Sequence, residues 1–304
     1  MNGADGDGDP EPNVTRLDNG VIFQNITVAV SAGANYLYAN GNYLELDGVH
    51  AIRGGTSSGE LANSFPLLII GGSDRVDVVS TNLVIGDYDG QIVSVIGGGI
   101  NHDVTGDIQV EITDEDNIYH LYGGSACGNV GGDIRLTAHS ASDVVGGCYY
   151  GNVGGNTYVT ANGIVDIWGV YGGCRMGAVD GSTYITIPEQ AEISGCVYGG
   201  CWNDQGIPWD GNWRGEFALV QPDIDGFDTV VKGDTHIEMN GMVTSAVYGG
   251  GSTCVVEGDT YVEVNGTVAT SPDWYSGVYG GGAGDSSKYG GSRCDVYGNT
   301  YVEI

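Results

Sequence analysis

The hydrophobic positions of this chain recur at every second residue in short segments that repeat along most of its length. Each segment follows a Gly-Asp or Gly-Asn pair, as in Thr157-Tyr158-Val159-Thr160-Ala161 and Thr260-Tyr261-Val262-Glu263-Val264. A period of two is that of a β-strand with one buried face and one exposed face. The Thr, Val and Ala columns are therefore predicted to face a core, and the Tyr, Thr and Glu columns to face solvent.

The segments belong to a longer repeat with two glycine markers. A Gly-Gly pair precedes each Gly-Asp or Gly-Asn pair, and from the second Gly of the first pair to the Gly of the second is eight residues in five of seven copies. One strand cannot bury its apolar face alone, whereas stacked copies bury a shared interior. The repeat is too short for a propeller blade and lacks helical periodicity. We therefore predict an all-β fold, a single-stranded, right-handed parallel β-helix of about ten coils of roughly 23 to 27 residues.

The glycine pairs predict the corners of each coil. Gly, Asn and Asp tolerate positive φ angles, so we expect the Gly-Gly and Gly-Asp pairs to bend the backbone there with φ above zero. Two copies have extra residues after the Gly-Gly pair, since Gly200 to Gly233 and Gly281 to Gly298 are much longer than eight residues. Insertions at one corner of a repeat protein are where binding is often found.

Three segments are predicted along the chain. Residues 1–18 are acidic, contain Gly and Pro, and are expected to form a flexible tether. Residues 19–91 have irregular spacing, typical of an N-terminal cap and diverged first coils. Residues 92–304 form the regular coils, with insertions near 201–228, 270–276 and 283–292. Because the chain stops within a repeat strand, we expect the natural protein to continue beyond it or this end to pair end to end or side by side with another molecule.

The charge excludes several classes of partner. The chain has 39 acidic and 9 basic residues and a net charge of −30. Nucleic acids, anionic lipid surfaces and polyanionic substrates all need cationic patches, so they are not expected ligands. The sequence contains no run of eighteen or more apolar residues, so no membrane span is predicted. No signal peptide is recognisable at Met1. The acidic start is typical of the region after a processing site, so we expect an exported fragment, extracellular or on the cell surface.

The seven cysteines predict packing rather than metal binding. Cys148, Cys174 and Cys201 each follow a Gly-Gly pair and should stack in adjacent coils, whereas Cys254 and Cys294 share another position of the repeat. A column of buried thiols acting as small hydrophobic residues is the favoured interpretation. A disulfide between stacked coils is the alternative. No CxxC pattern with histidine points to a metal site.

The long insertion holds the first candidate site. Three tryptophans lie there among amide and charged groups, and a second aromatic pair lies in the insertion near 270–276. Indole faces flanked by polar groups suit a carbohydrate, whose ring stacks on the indole while its hydroxyls bind the polar groups. The alternative is that the indoles pin the loop to the rod. The candidate binding residues are Trp202, Asn203, Asp204, Trp209, Asp210, Trp213, Arg214, Glu216, Trp274 and Tyr275.

The exposed column of the repeat strands is the second candidate site. Its aromatic members are Tyr158, Tyr184, His236, Tyr261 and Tyr301. Aromatic columns suit sheets for packing reasons alone, and the long connection before His236 could interrupt this one. The functional interpretation is a flat face that docks sugar rings or a partner protein.

Histidines and carboxylates add little chemistry to this picture. His102, His120 and His139 are scattered and expected to be solvated. Glu238, Glu263 and Glu303 should stack next to the aromatic column, so either solvent screens them or cations such as Ca²⁺ lie between them. No dedicated calcium loop is present, and no other cofactor is expected.

The repeat VYGGG or VYGGC followed by GDTYVEV resembles the glycine-rich, adhesin-like parallel β-helix proteins of gut microbes, related to pectate-lyase-like and autotransporter-passenger solenoids. The resemblance covers Ile92 to Ile304 and implies an extracellular, surface-attached protein with binding or scaffold roles. The leading hypothesis from the insertions is that the protein contacts a glycan or a protein of a host or neighbouring cell. The main rival is a polysaccharide-degrading β-helix enzyme. The polygalacturonase motifs are missing, although Asp204, Asp210, Glu216, Asp223 and Asp225 could supply the two carboxylates of a hydrolase. We therefore expect a non-catalytic adhesin or scaffold.

Overall fold

The computed structural model describes residues 13–30, 35–53, 67–90, 92–114, 118–202, 229–269, 276–284 and 294–304. These ranges contain strands and turns, and they contain no helix that could cross a membrane. The first twelve strands are β1 Asn13–Arg16, β2 Val21–Val30, β3 Asn35–Tyr38, β4 Tyr43–Arg53, β5 Leu67–Ile70, β6 Thr81–Ile85, β7 Ile92–Ile96, β8 Ile108–Ile112, β9 Ile118–Tyr122, β10 Ile134–Val145, β11 Thr157–Tyr171 and β12 Ala178–Val179. The remaining strands are β13 Thr183–Ile187, β14 Glu192–Ile193, β15 Cys196–Tyr198, β16 Val230–Val231, β17 Thr235–Met239, β18 Met242–Val243, β19 Ala246–Tyr248, β20 Val255–Val256, β21 Thr260–Val264, β22 Thr267–Val268, β23 Gly277–Tyr279 and β24 Thr300–Glu303.

The strands pair in parallel with their counterparts one repeat further along the chain. β13 pairs with β17 and β17 pairs with β21, while β15 pairs with β19 and β19 with β23. The described strands form one parallel sheet of 21 strands and a second of three strands, β12, β16 and β20. The prediction of an all-β, parallel, solenoid-like fold is confirmed.

The axial core follows the columns predicted from the period-two pattern. Val159, Ile185, Ile237 and Val262 are register partners on consecutive coils, and each is at most 2% exposed. They belong to a single apolar cluster that runs through the described coils. Burying one such side chain contributes about 1.5 to 3 kcal/mol to stability, so this column of side chains supplies much of the driving force for stacking the coils.

A column of valines that the sequence pattern did not single out forms a further side of the apolar interior. These residues pair as isolated parallel bridges or in the three-stranded sheet, and their side chains enter the same apolar cluster. The members of the column are Val78, Val104, Val130, Val153, Val179, Val231, Val256 and Val296.

The corner glycines are required by close contact between coils. A Cβ atom on Gly97 would lie 2.1 Å from the carbonyl oxygen of Gly123, and one on Gly146 would lie 2.4 Å from that of Gly172. The glycines with positive φ lie elsewhere, for example Gly151. The expectation of positive φ at the Gly-Gly and Gly-Asp pairs is therefore wrong, because stacking, not bending, excludes a side chain there.

The residue after each anchor glycine forms a hydrogen-bond ladder between coils. Its side-chain oxygen accepts a hydrogen bond from the backbone N–H of the equivalent residue in the next coil. The ladder runs from Asp107 to Asp133 (2.8 Å), Asn156 (2.9 Å), Ser182 (2.8 Å), Asp234 (3.0 Å), Asp259 (2.8 Å) and Asn299 (2.6 Å). This explains the preference for Asp, Asn and Ser at a position that faces the neighbouring coil.

Buried threonine hydroxyls close individual coils across their interior. Thr157, Thr183 and Thr235 donate to the carbonyl oxygens of Gly172, Gly199 and Gly249 at 2.5 Å. Each bond joins the start of a repeat strand to the Gly-Gly corner of the same coil. Satisfying the hydroxyl inside the core avoids the cost of a buried unpaired polar group.

The ends of the predicted segments show two further features. β1 begins at Asn13, inside the segment predicted as a tether, and pairs with β3, while Leu17 is buried. The corner that carries both long insertions is continuous, since the N–H of Gly200 bonds to Gly250 and that of Gly250 to Gly281. The insertions themselves, residues 203–228, 270–275 and 285–293, lie outside the described residues.

Candidate binding groove

One outer face of the rod carries a shallow groove of about 710 Å³ across four consecutive coils. Strands β13, β17, β21 and β24 form its floor. Two columns of side chains line it: Tyr184, His236, Tyr261 and Tyr301 in one, and Thr186, Glu238, Glu263 and Glu303 in the other. We call this surface the Tyr/Glu groove.

The aromatic column is an uninterrupted stack of five rings. The centroid distances are 4.9 Å for Tyr158 to Tyr184, 4.7 Å for Tyr184 to His236, 4.7 Å for His236 to Tyr261 and 4.8 Å for Tyr261 to Tyr301. The ring planes lie within 8° of parallel at every step. The insertion before His236 therefore does not interrupt the column, because Tyr184 and His236 are register partners.

The stacking decides which part of each ring a ligand can reach. A sugar ring inserted between two aromatic rings would need roughly twice the observed spacing. The faces of the inner rings Tyr184, His236 and Tyr261 are thus occupied by their neighbours. What the column presents to solvent is a row of ring edges and phenol oxygens, and the phenol of Tyr261 donates to Asp259 at 3.2 Å.

A guanidinium lies on the outer side of Tyr158, the first ring of the stack. Arg135 is the register partner of Tyr158 and lies 4.8 Å from its ring centroid, while its Nη2 atom bonds to Asp133 at 3.1 Å. Elsewhere Arg16 lies 5.3 Å from the Tyr38 ring and pairs with Asp74. A guanidinium held on a tyrosine beside a carboxylate is therefore a recurring arrangement in this chain.

The glutamates of the groove are separated by amides. Asn240 donates to Glu238 and Asn265 donates to Glu263, both at 2.9 Å, and Asn265 also donates to Asn240 at 3.0 Å. All three glutamates remain exposed. Within the described ranges no group of three or more His, Cys, Asp or Glu residues is arranged to hold a metal, so calcium stays a prediction from sequence.

His236 is the one imidazole among the five stacked rings. Burial between its neighbours lowers the pKa of its imidazole, and Asp234 opposes this with a smaller effect. The imidazole is accordingly neutral near pH 7 and adds no positive charge to the groove.

Trp202, at the start of the long insertion, packs against the rod. Its indole stacks on Tyr171 at 5.0 Å, and the guanidinium of Arg175 lies 4.5 Å from the indole ring. These contacts are those expected of an indole that anchors the insertion. The other candidates of the two insertions lie outside the described residues: Asn203, Asp204, Trp209, Asp210, Trp213, Arg214, Glu216, Trp274 and Tyr275.

A second aromatic stack lies on a different face and was missed by the sequence reasoning. Tyr171, Tyr198, Tyr248 and Tyr279 stack at centroid distances of 4.9 to 5.1 Å. At its buried end it joins an apolar cluster outside the axial core. The signal was present, because a tyrosine directly precedes the Gly-Gly pair in five copies of the repeat. Burial raises the pKa of Tyr248 to about 12.

Ser94, His120 and Asp143 occupy one column on three consecutive coils, also unforeseen. His120 Nδ1 lies 2.7 Å from Asp143 Oδ1, and Ser94 is the register partner of His120 on the other side. Ser94 is 0% exposed and Asp143 1%. The expectation that His120 is solvated is wrong, because its side chain faces a buried carboxylate. A serine with no solvent access cannot meet a substrate, so the arrangement is structural.

The cysteines form a column of free thiols, as the favoured interpretation predicted. The Sγ atoms of Cys174 and Cys201 accept from the N–H groups of Cys148 and Cys174 at 3.3 Å. Cys254 continues this column rather than sharing only the position of Cys294, since the Cys201 N–H bonds its Sγ at 2.9 Å. All seven cysteines are free. Burial and a hydrogen bond to Cys254 raise the pKa of the Cys201 thiol, which makes it a poor nucleophile.

Comparisons with protein-family models, with curated proteins and with solved structures give no match for this chain.

Proposed function

We propose that this chain is a non-catalytic extracellular surface scaffold of the adhesin type. It is a right-handed, single-stranded β-helical rod of about ten coils that binds a glycan or a protein of a host or neighbouring cell. The Tyr/Glu groove is the main contact surface, and the long insertion with Trp209 and Trp213 adds to it.

The observation that carries this proposal is the half-buried, uninterrupted stack from Tyr158 to Tyr301 beside the exposed glutamate column. Tyrosines have few rotatable bonds, and stacking on both sides fixes each inner ring before a partner arrives. A surface that is already ordered loses less conformational entropy on binding than a mobile one. Binding to this face therefore loses little conformational entropy, which favours a binding role over that of a plain spacer.

The environments of the glutamates favour binding over hydrolysis. Glu238 and Glu263 are stacked register partners, and each accepts one amide from an asparagine two residues further on. A glycoside hydrolase uses two carboxylates in different roles, one as the acid and the other as the base or nucleophile. Two carboxylates with the same kind of partner are not distinguished in this way.

Two panels test the proposal, a glycan array and an array of extracellular proteins. We expect the wild-type chain to bind members of at least one panel and the Tyr184→Ala/Tyr261→Ala variant to bind at least about tenfold more weakly, since both substitutions open gaps in the groove. The control is Tyr279→Ala, which truncates an exposed tyrosine of the other stack. Far-ultraviolet circular dichroism checks that each variant keeps its β-structure.

The insertion is tested by Trp209→Ala/Trp213→Ala on the same panels. Loss of binding with this variant alone would move the site from the groove to the insertion. A wild-type chain that binds nothing on either panel, or a groove variant that binds as well as the Tyr279→Ala control, would overturn the role of the groove.

A further inference from the structure

We propose that the Tyr/Glu groove takes a cationic, arginine-rich segment of a partner protein. The inference rests on the proposed function, since it names the chemistry of the partner for the same groove.

The first argument is charge complementarity. Three carboxylates, Glu238, Glu263 and Glu303, line the groove, and no lysine or arginine is among the lining residues that the structure describes. The net charge of −30 adds a long-range field that attracts cations and repels polyanions. Because His236 is neutral near pH 7, the aromatic residues that line the groove add no positive charge to offset these carboxylates.

The second argument is unused hydrogen-bonding capacity. An ionised carboxylate offers about four acceptor positions, whereas Glu238 and Glu263 each accept a single amide bond within the described part of the chain. Tyr184 and Tyr301, whose phenols can also accept a hydrogen bond, line the same groove. A guanidinium brings five donors in a planar fork and can bond a carboxylate through two of them, which an ammonium cannot do in the same way.

The third argument is that the stack already includes one guanidinium. Arg135 occupies the rung below Tyr158, and Arg175 lies 4.6 Å from the Tyr149 ring and 4.5 Å from the Trp202 ring. Including Arg16, three of the four arginines whose side chains the structure describes lie over aromatic rings. The aromatic surfaces of this chain and guanidinium groups are thus compatible neighbours.

The fourth argument disfavours a neutral sugar as the main ligand. Carbohydrate recognition through aromatic residues uses the ring faces, and those of the inner rungs are covered at 4.7 to 4.9 Å. Four coils at about 4.8 Å spacing span roughly 14 Å, the length of about four extended residues at 3.3 Å each. A short basic peptide segment therefore fits the groove in both length and charge.

The experiment measures fluorescence anisotropy of labelled hexa-arginine, hexa-lysine and hexa-glutamate peptides with the full chain at low and high salt. We expect hexa-arginine to bind more tightly than hexa-lysine, hexa-glutamate not to bind, and the affinity to fall with salt. The variant Glu238→Gln/Glu263→Gln/Glu303→Gln should bind hexa-arginine about tenfold more weakly, because three exposed ion pairs of modest strength are lost together.

The matched control is Glu189→Gln/Glu192→Gln/Glu257→Gln, which removes three exposed carboxylates outside the groove and changes the net charge by the same amount. We expect less than a twofold change for it. Equal weakening by the two triple variants would reduce the effect to non-specific attraction and overturn the inference.

The two proposals fail in different ways. If Tyr184→Ala/Tyr261→Ala abolishes binding on the glycan array while no basic peptide binds the wild type, the cationic partner is refuted and the groove stands as a glycan site. If neither substitution set changes any binding, both proposals fall.

Discussion

The imidazole of His236 lies 4.7 Å from the ring of Tyr261, and the two planes are 1° apart. With Tyr184 at the same distance on its other side, the histidine is a full member of the stack although its ring differs from those of its neighbours. The stack thus depends on ring shape and register more than on residue type. His236 is also its central rung, which makes it the most informative position to change.

Replacing His236 by alanine should break the stack at its centre. Two aromatic contacts of about 0.5 to 1.5 kcal/mol each would be lost, so we expect a decrease of about 1 to 3 kcal/mol in the free energy of unfolding. His236→Tyr should retain the contacts and change stability little. Urea unfolding followed by circular dichroism measures both, with Tyr297→Ala as a control at an exposed position outside the stack. Equal stability of the alanine variant and the wild type would show that the rings merely lie side by side.

The same residue predicts a pH dependence of stability. Because burial lowers the pKa of His236 in the folded chain, the unfolded chain binds a proton first as the pH falls. Stability is therefore complete above the ordinary histidine pKa of about 6.5 and decreases as the pH falls from there through the lowered value. Asp234, Glu238 and Asp259 lie nearby, so the difference between wild type and His236→Tyr across pH 5 to 8 isolates the imidazole. If the stability of the wild type relative to His236→Tyr does not change with pH, or decreases as the pH rises from 5 to 8, this assignment is wrong.

Removing His120 should destabilise the chain strongly. Its partner Asp143 is buried, and a buried carboxylate left without its partner costs about 3 to 5 kcal/mol. We expect His120→Ala to lose about that much and His120→Ala/Asp143→Ala to recover part of it, as measured by urea unfolding at pH 7. A double variant no more stable than His120→Ala would show that the carboxylate has other compensation.

Glycine contacts between coils give a prediction with an internal control. Gly146→Ala places a Cβ 2.4 Å from a backbone oxygen of the next coil, whereas a Cβ on Gly281 meets nothing within 4 Å. We expect Gly146→Ala to cost about 3 kcal/mol, at the upper end of overpacking effects, and Gly281→Ala to be nearly neutral. Thermal unfolding of the two variants checks the contrast, and similar melting temperatures would refute close stacking at this corner.

The axial core could be predicted from sequence because it depends on the period of two, which is visible within each segment. Val159 and Ile185 occupy the same position of the repeat, so their register followed from alignment alone. The continuity of the aromatic stack at His236 could not be predicted in the same way, because a long insertion separates His236 from Tyr184 in the sequence. The reason why glycine is required at Gly146 could not be predicted either. A Cβ atom at Gly146 would clash with Gly172 of the next coil, and the sequence of a single repeat does not show that contact.

The His120 and Asp143 pair was missed for a related reason. The two residues share a column three positions before the Gly-Gly pair, but Ser94, His120 and Asp143 differ in type, so no repeat of residues marks the column. The hydrogen bond joins two residues of different type, His120 and Asp143, and not two identical residues. The Trp-rich insertion beyond Trp202 stays a prediction, because its residues lie outside the described ranges.

The ladder that joins Asp107 to Asn299 has an evolutionary corollary. Every inner rung both accepts a bond from the coil above and donates one to the coil below, so any two coils match at this column. A tandem duplication or an in-frame deletion of one whole repeat unit would leave the remaining rungs of this ladder matched, whereas a deletion that placed Ser94 beside Asp143 would remove the histidine partner of a buried carboxylate. Unequal crossing-over between related genes can therefore change the number of coils most easily where every neighbouring column, like this ladder, repeats compatible residues.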